Sequence, residues 1–125
     1  MNAQKAKITL AQAEELYDAA QEGQAKPEED VVTYAVCRNA FKAVHKYLVA
    51  FLLENDFEIH STMSLEVMMD KCTELEPAFL QIDLAPMYST SLDEDVWMDL
   101  ETMNEYLTIA KKTREMVTQR LKVAL

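Results

Sequence analysis

Arg38 and His45 are the two residues whose types and spacing best fit catalysis. Seven positions are close to two turns of an α-helix, so both side chains leave the same side of a helix, roughly 10 Å apart along its axis. A guanidinium can bind phosphate through two hydrogen bonds, and an imidazole titrates near neutral pH. The pair therefore fits phosphodiester cleavage, with histidine as acid or base and arginine stabilising charge. The alternative is a structural pair that bonds to carboxylates of the last helix and fixes its register.

Phosphate binding without chemistry is a second use of the same region. Arg38, Lys42 and Arg114 are the candidates for holding a phosphate in a cleft between helices. A loop-based site is excluded, because one glycine cannot form a phosphate loop or a dinucleotide fingerprint. The two cysteines and two histidines lack the spacing of a zinc site, and the Glu-x-x-His pairs of a di-iron bundle do not occur. We therefore expect no metal and no cofactor.

The composition predicts one all-α domain over residues 1–125. Half of the residues are hydrophobic, and only one glycine and three prolines interrupt them. A many-stranded β fold requires far more turn residues, and the length suits a single domain. The net charge of −10 repels nucleic acid at long range, which disfavours RNA as a partner. Because the N-terminus is polar and the apolar runs are short, we expect a cytoplasmic protein without membrane contact and with reduced cysteines.

Capping signals and apolar periodicity place the helices that must position these side chains. Thr9 begins a capping box, and Gly23 suits a C-cap. Pro27, followed by three acidic residues, suits a helix start, whereas Ser64 suits an N-cap and Pro77 opens a short further turn. The sequence predicts an antiparallel up-and-down bundle of four to five helices, with bounds at about 9–22, 27–54, 64–75, 77–83 and 93–123 and a loop at 84–92.

The second predicted helix is apolar around much of its circumference, which places it at the centre of the bundle. Its main seam consists of Val31, Tyr34, Arg38, Phe41, His45, Leu48 and Leu52. A flanking stripe consists of Val36, Ala40, Ala43, Tyr47, Ala50 and Phe51. We expect the last helix to pack antiparallel to this one.

Three stretches of the sequence resemble the HEPN family, in the family's order. The string Lys42–Leu53 (KAVHKYLVAFLL) is similar to the central-helix pattern Q-A-x-E-K-x-L-K-A-x-L-L. The string Thr62–Met69 (TMSLEVMM) resembles the family's T-H-S-L-x-x-L-L start of helix 3, and Met103–Val117 resembles its last helix. Together the three stretches span about residues 30–120.

The resemblance implies a helical bundle that is commonly dimeric and works beside nucleotides, nucleotidyltransferases or RNA. Some members are ribonuclease toxins of toxin–antitoxin pairs, which carry Arg, a polar residue, three to five others and then His. Arg38, Asn39 and His45 fit that string, with Asn39 positioning the other two. In those members the string lies near the penultimate or last long helix, whereas here it lies in the second.

Three functions remain open on this basis. The first is a non-catalytic HEPN-like interaction module, a homodimer acting with a nucleotidyltransferase-type partner or a nucleotide-like ligand. The second is a metal-independent ribonuclease that uses Arg38, Asn39 and His45. The third is nucleotide binding in an inter-helix cleft, with Arg38, Lys42 or Arg114 holding phosphate.

Overall fold

The chain folds as an all-α bundle, which confirms the predicted fold class. The computed structural model describes residues 2–27, 29, 31–60, 62–88 and 99–124, and no strand occurs within them. Its elements are α1 (Asn2–Gln24), α2 (Thr33–Glu54), α3 (Leu65–Leu75), a 3-10 helix (Pro77–Gln81), the single turn α4 (Ala85–Tyr88) and α5 (Leu100–Ala124).

α1 and α2 form an antiparallel hairpin that is packed through small residues. Three alanines of α1 spaced by seven residues are fully buried, namely Ala6, Ala13 and Ala20. Near the C-terminal end of α1, a Cβ added to Gly23 would lie 2.9 Å from the Val36 Cγ2 atom of α2. Gly23 lies inside the helix without a positive φ angle, so the predicted C-cap is wrong. The glycine is there because the two helices approach closely at that point.

α5 runs in the same direction as α2, which corrects the expected antiparallel packing of these two helices. Arg114 of α5 and Tyr47 of α2 both donate hydrogen bonds to the Glu14 carboxylate of α1. Seven residues further along α5, Leu121 lines one cavity together with Phe51, near the end of α2. Both helices therefore end at the same end of the bundle.

Several predicted helix bounds are confirmed and others are wrong. Ser64 caps α3 by accepting a hydrogen bond from the Val67 amide at 3.1 Å, as predicted. α1 begins earlier than predicted, so Thr9 is interior to it, and α2 begins at Thr33 instead of Pro27. The predicted helix end after Glu54 is confirmed.

The start of the last helix also differs from the prediction. The Asp99 carboxylate accepts a hydrogen bond from the Thr102 amide at 2.7 Å, and α5 begins directly after it at Leu100. The predicted helical stretch 93–98, like 89–92 of the predicted loop, lies outside the described residues. The short turn predicted after α3 is confirmed as the 3-10 helix, and α4 is one helical turn within the predicted loop.

The core side of α2 consists of the flanking stripe and the second half of the predicted main seam. All members of the flanking stripe are buried, and so are Leu48 and Leu52 of the seam. In the first half of the seam Arg38 is exposed, and Tyr34, Phe41 and His45 are only half-buried. The predicted seam therefore enters the core only toward the C-terminal end of α2.

Candidate functional site

Three cations on the outer side of α2 form the candidate site, which we call the basic surface of α2. Arg38, Lys42 and Lys46 follow one another at four-residue intervals, so their Cα atoms rise by about 6 Å from one to the next. Arg38 and Lys42 are exposed and Lys46 is half-buried. No Asp or Glu occurs between positions 31 and 53. Within the described residues none of the three cations forms an ion pair.

His45 lies on the same side of α2 as Arg38, two turns further along the helix, as the seven-residue spacing predicts. Burial lowers the pKa of the His45 imidazole below its ordinary value, and the positive charge of Lys46 lowers it further. The neutral imidazole is therefore favoured at pH 7, which is the form that accepts a proton. In the described part of the chain neither His45 nor Arg38 bonds to a carboxylate of α5, so the predicted structural alternative has no observed partner there.

Asn39 is directed away from this pair. One residue along a helix turns the side chain by about 100° from Arg38. Asn39 instead lines a cavity of about 260 Å³ at the end of the α1–α2 hairpin where the two helices are connected, together with Gly23, Lys26 and Val36. The expected role of Asn39 in positioning Arg38 and His45 therefore gains no support from the structure.

Arg114 belongs to a different assembly, the clasp of Glu14, Tyr47 and Arg114, which joins α1, α2 and α5. Arg114 donates from Nε and Nη2 to the Glu14 carboxylate at 3.0 to 3.2 Å. The Tyr47 hydroxyl donates to Glu14 Oε1 at 2.6 Å. The guanidinium carbon of Arg114 also lies 5.2 Å from the centre of the Tyr17 ring. These contacts satisfy the carboxylate from two directions and anchor the guanidinium.

Charge and burial in the clasp fix its protonation state. Burial raises the pKa of the Tyr47 hydroxyl, and the hydrogen bond to Glu14 raises it further, so the phenol stays protonated. The hydrogen bond to Glu14 raises the pKa of Arg114. The clasp is thus a carboxylate held by one neutral and one cationic donor.

Arg38, Lys42 and Arg114 do not converge on one cleft. Arg114 lies at the Tyr47 side of α2, and Tyr47 is nine residues from Arg38, which is a rotation of about 180° around the helix. Of the three residues predicted as candidates for holding a phosphate, Arg38 and Lys42 therefore share one surface, and Arg114 lies apart from them. Lys46 was not among the predicted site residues, but it extends the row of cations formed by Arg38 and Lys42. The sequence feature that indicates it is the continued four-residue spacing.

The cysteines do not add a reactive centre. Cys37 and Cys72 are both free and buried, and burial raises their pKa values to about 11 and about 12. Both thiols are protonated at neutral pH and are poor nucleophiles. Among the described residues no group of three or more His, Cys, Asp or Glu side chains is arranged to hold a metal ion.

Comparison with known proteins finds no matching family model, no matching curated protein and no matching solved structure. None of the helices, over the residues described above, combines the length and apolar character needed to cross a membrane.

Proposed function

We propose that this chain is a HEPN-like interaction module that binds an anionic partner through the basic surface of α2 and catalyses no reaction itself. The observation that supports the proposal is the row of three cations without ion-pair partners in the described residues, on a helix that carries no carboxylate from 31 to 53. An anion bound there displaces no internal salt bridge, so its contacts add to the free energy of binding.

The partner that this surface suits best carries phosphate. The HEPN resemblance suggests a nucleotide-like ligand or a nucleotidyltransferase-type protein, and cations at about 6 Å intervals can contact successive anionic groups. A nucleotide would contact Arg38 and Lys42 without Arg114, two of whose nitrogens donate to Glu14. The net charge of −10 weakens long-range attraction, so binding depends on these close contacts and weakens with salt.

Fluorescence anisotropy with a labelled ATP analogue tests the proposal. We expect saturable binding by the wild-type chain, and Lys42→Gln together with Lys46→Gln should weaken it about tenfold, since each lost charge-assisted contact contributes about 0.5–1 kcal/mol at an exposed site. The matched control is Lys71→Gln, because Lys71 is a similarly accessible lysine on α3 that already pairs with Glu74 at 3.4 Å.

Two results would contradict this part of the proposal. One is wild-type binding that the Lys71 variant weakens as much as the α2 variant does, which would indicate non-specific attraction. The other is no binding of the ATP analogue and no binding of a purified nucleotidyltransferase-type protein. The homodimer, which the resemblance also suggests, is tested by light scattering, and a strict monomer at high concentration would contradict it.

Ribonuclease activity is the second candidate function. It is favoured by one observation, the placement of Arg38 and His45 on the same side of α2. The lowered pKa of His45 favours its neutral form, which can accept a proton. His45 would accept the proton of the 2′-hydroxyl as its oxygen bonds to phosphorus, and Arg38 would stabilise the negative charge that develops on the phosphate. The bond from phosphorus to the 5′-oxygen would break, and that oxygen would leave with a proton from the protonated His45 or from water, giving a 2′,3′-cyclic phosphate and a 5′-hydroxyl end. Wild-type and His45→Ala proteins are compared on a single-stranded RNA. Cleavage that is lost in the variant supports the enzyme, and equal cleavage contradicts it.

A further inference from the structure

A groove between the 3-10 helix and the second half of α5 is separate from both the basic surface of α2 and the clasp. It has a volume of about 450 Å³ and is lined by Ala78, Gln81, Ile82, Lys112, Glu115, Met116, Gln119 and Arg120. That volume falls within the usual range of small-molecule sites, roughly 300–1,000 Å³. Its lining carries two cations and one carboxylate, and one of the cations, Arg120, also pairs with Glu76, so the lining cation without an ion-pair partner among the described residues is Lys112.

Arg120 at one end of the groove has an unmet hydrogen-bonding need. Its Nη2 atom donates to Glu76 Oε1 at 2.9 Å. Its Nε atom is buried and has no hydrogen-bond partner in the described residues. A buried donor without an acceptor costs about 1–3 kcal/mol, so a ligand acceptor that reached this atom would be stabilised by it.

Lys112 lies at the other end of the groove and forms no ion pair with a described residue. Lys112 and Arg120 are eight residues apart, which is about 12 Å along α5. Between them the floor is apolar, because Ile82 is only 6% exposed and Met116 is half-buried. Methionine adapts its shape to an apolar ligand more easily than a branched side chain does.

We propose that this groove binds a small organic anion, a carboxylate with an apolar body of about six carbons. The apolar body covers Ile82 and Met116, and the carboxylate accepts hydrogen bonds from Lys112 at one end. Gln81 and Gln119 provide amide groups for a second polar contact. The groove is too short for a long acyl chain, since about 12 Å separates its two cations along the helix.

The probe is hexanoate, followed by NMR of methionine and alanine methyl groups. We expect the Met116 and Ala78 methyl signals to shift and to saturate in the millimolar range, because a ligand of this size has a small maximum affinity. Met68, which is buried in the core, should not respond. Hexanol, which keeps the apolar body and lacks the carboxylate, should bind more weakly.

Two variants separate the charge from the shape of the groove. Lys112→Gln should weaken hexanoate binding about two- to fivefold. Lys111→Gln is its matched control, because Lys111 is also exposed on α5 but does not line the groove. Ala78→Leu fills the groove without changing charge and should weaken binding by about tenfold. Urea denaturation of each variant confirms that it is folded.

The proposal is overturned if hexanol binds as tightly as hexanoate, if the two lysine variants behave alike, or if hexanoate shifts no methyl signal near the groove. N-acetyl-leucine, which mimics the C-terminal end of a peptide, distinguishes the source of the carboxylate. If N-acetyl-leucine binds more tightly than hexanoate, the site is assigned to the C-terminal end of a peptide. If it binds more weakly, the site is assigned to a free organic acid. Lys42→Gln, on the basic surface of α2, should leave hexanoate binding unchanged, so this test does not depend on the proposed function.

Discussion

The clasp and the basic surface of α2 use cations in opposite ways. In the clasp, Arg114 gives two nitrogens to Glu14, and Tyr47 donates to the same carboxylate. The three cations of the basic surface face no carboxylate within the described residues. A cation whose hydrogen bonds are satisfied by the protein stabilises the fold, whereas one without partners is available to a ligand. Residue type alone does not separate these roles, because both sets contain an arginine on a long helix.

Removing the acceptor of the clasp should have the largest effect on stability. Glu14→Ala leaves the Arg114 guanidinium and the buried Tyr47 hydroxyl without their partner, which should lower the free energy of unfolding by about 2 kcal/mol. Urea denaturation measures this loss. Glu15→Ala is the control, because Glu15 is the exposed neighbour and should change stability by less than about 0.5 kcal/mol. Equal effects of the two substitutions would mean that the clasp contributes nothing specific.

Removing one donor of the clasp should have about half that effect. Tyr47→Phe keeps the ring, which is fully buried, and deletes only the hydroxyl that donates to Glu14. Because Arg114 still satisfies the carboxylate, we expect a loss of about 1 kcal/mol in the same measurement. Combining Tyr47→Phe with Glu14→Ala should cost less than the sum of the two single losses, since both remove the same bond. Full additivity would contradict the shared bond.

The smallest effect concerns His45 at the edge of the basic surface. The pKa of His45 is lowered in the folded chain, so the unfolded chain binds more protons near pH 6 and stability falls as the pH drops below about 6.5. For one group this dependence stays below about 1.4 kcal/mol per pH unit. His45→Gln should flatten it when unfolding is measured at about pH 5.5 and pH 7.5. His60→Gln, at an exposed position, should leave the wild-type dependence in place.

The sequence predicted the fold class and most helices because their signals are local. The N-cap at Ser64 and the apolar spacing of α3 depend only on residues close together in the sequence, and both predictions are confirmed. The starts of α1 and α2 were wrong because packing overrides local signals. Ala6 is fully buried and continues the alanine spacing of α1 before the predicted start at residue 9. Gly23 looked like a helix end, whereas its role is to permit contact with Val36.

The candidate site was predicted only in part. The spacing of Arg38 and His45 fixed their common side of a helix, and the structure agrees. Arg114 was assigned to the same cleft because the sequence does not reveal its partner, and Glu14 lies 100 residues earlier in the chain. The solvent-facing side of α2 was also misjudged in part, since Arg38, Phe41 and His45 of the predicted seam border solvent, whereas its Leu48 and Leu52 are buried.

That separation of 100 residues has a consequence for the order in which the molecule is made. The α1–α2 hairpin needs only the first 54 residues, so it can form as soon as they leave the ribosome. Until α5 is synthesised, Glu14 and Tyr47 have each other but lack their cation. A nascent chain that is stalled before Arg114 therefore carries a carboxylate without its cation beside the apolar surface that α5 later covers, and exposed apolar surface of this kind makes unfinished chains prone to aggregate.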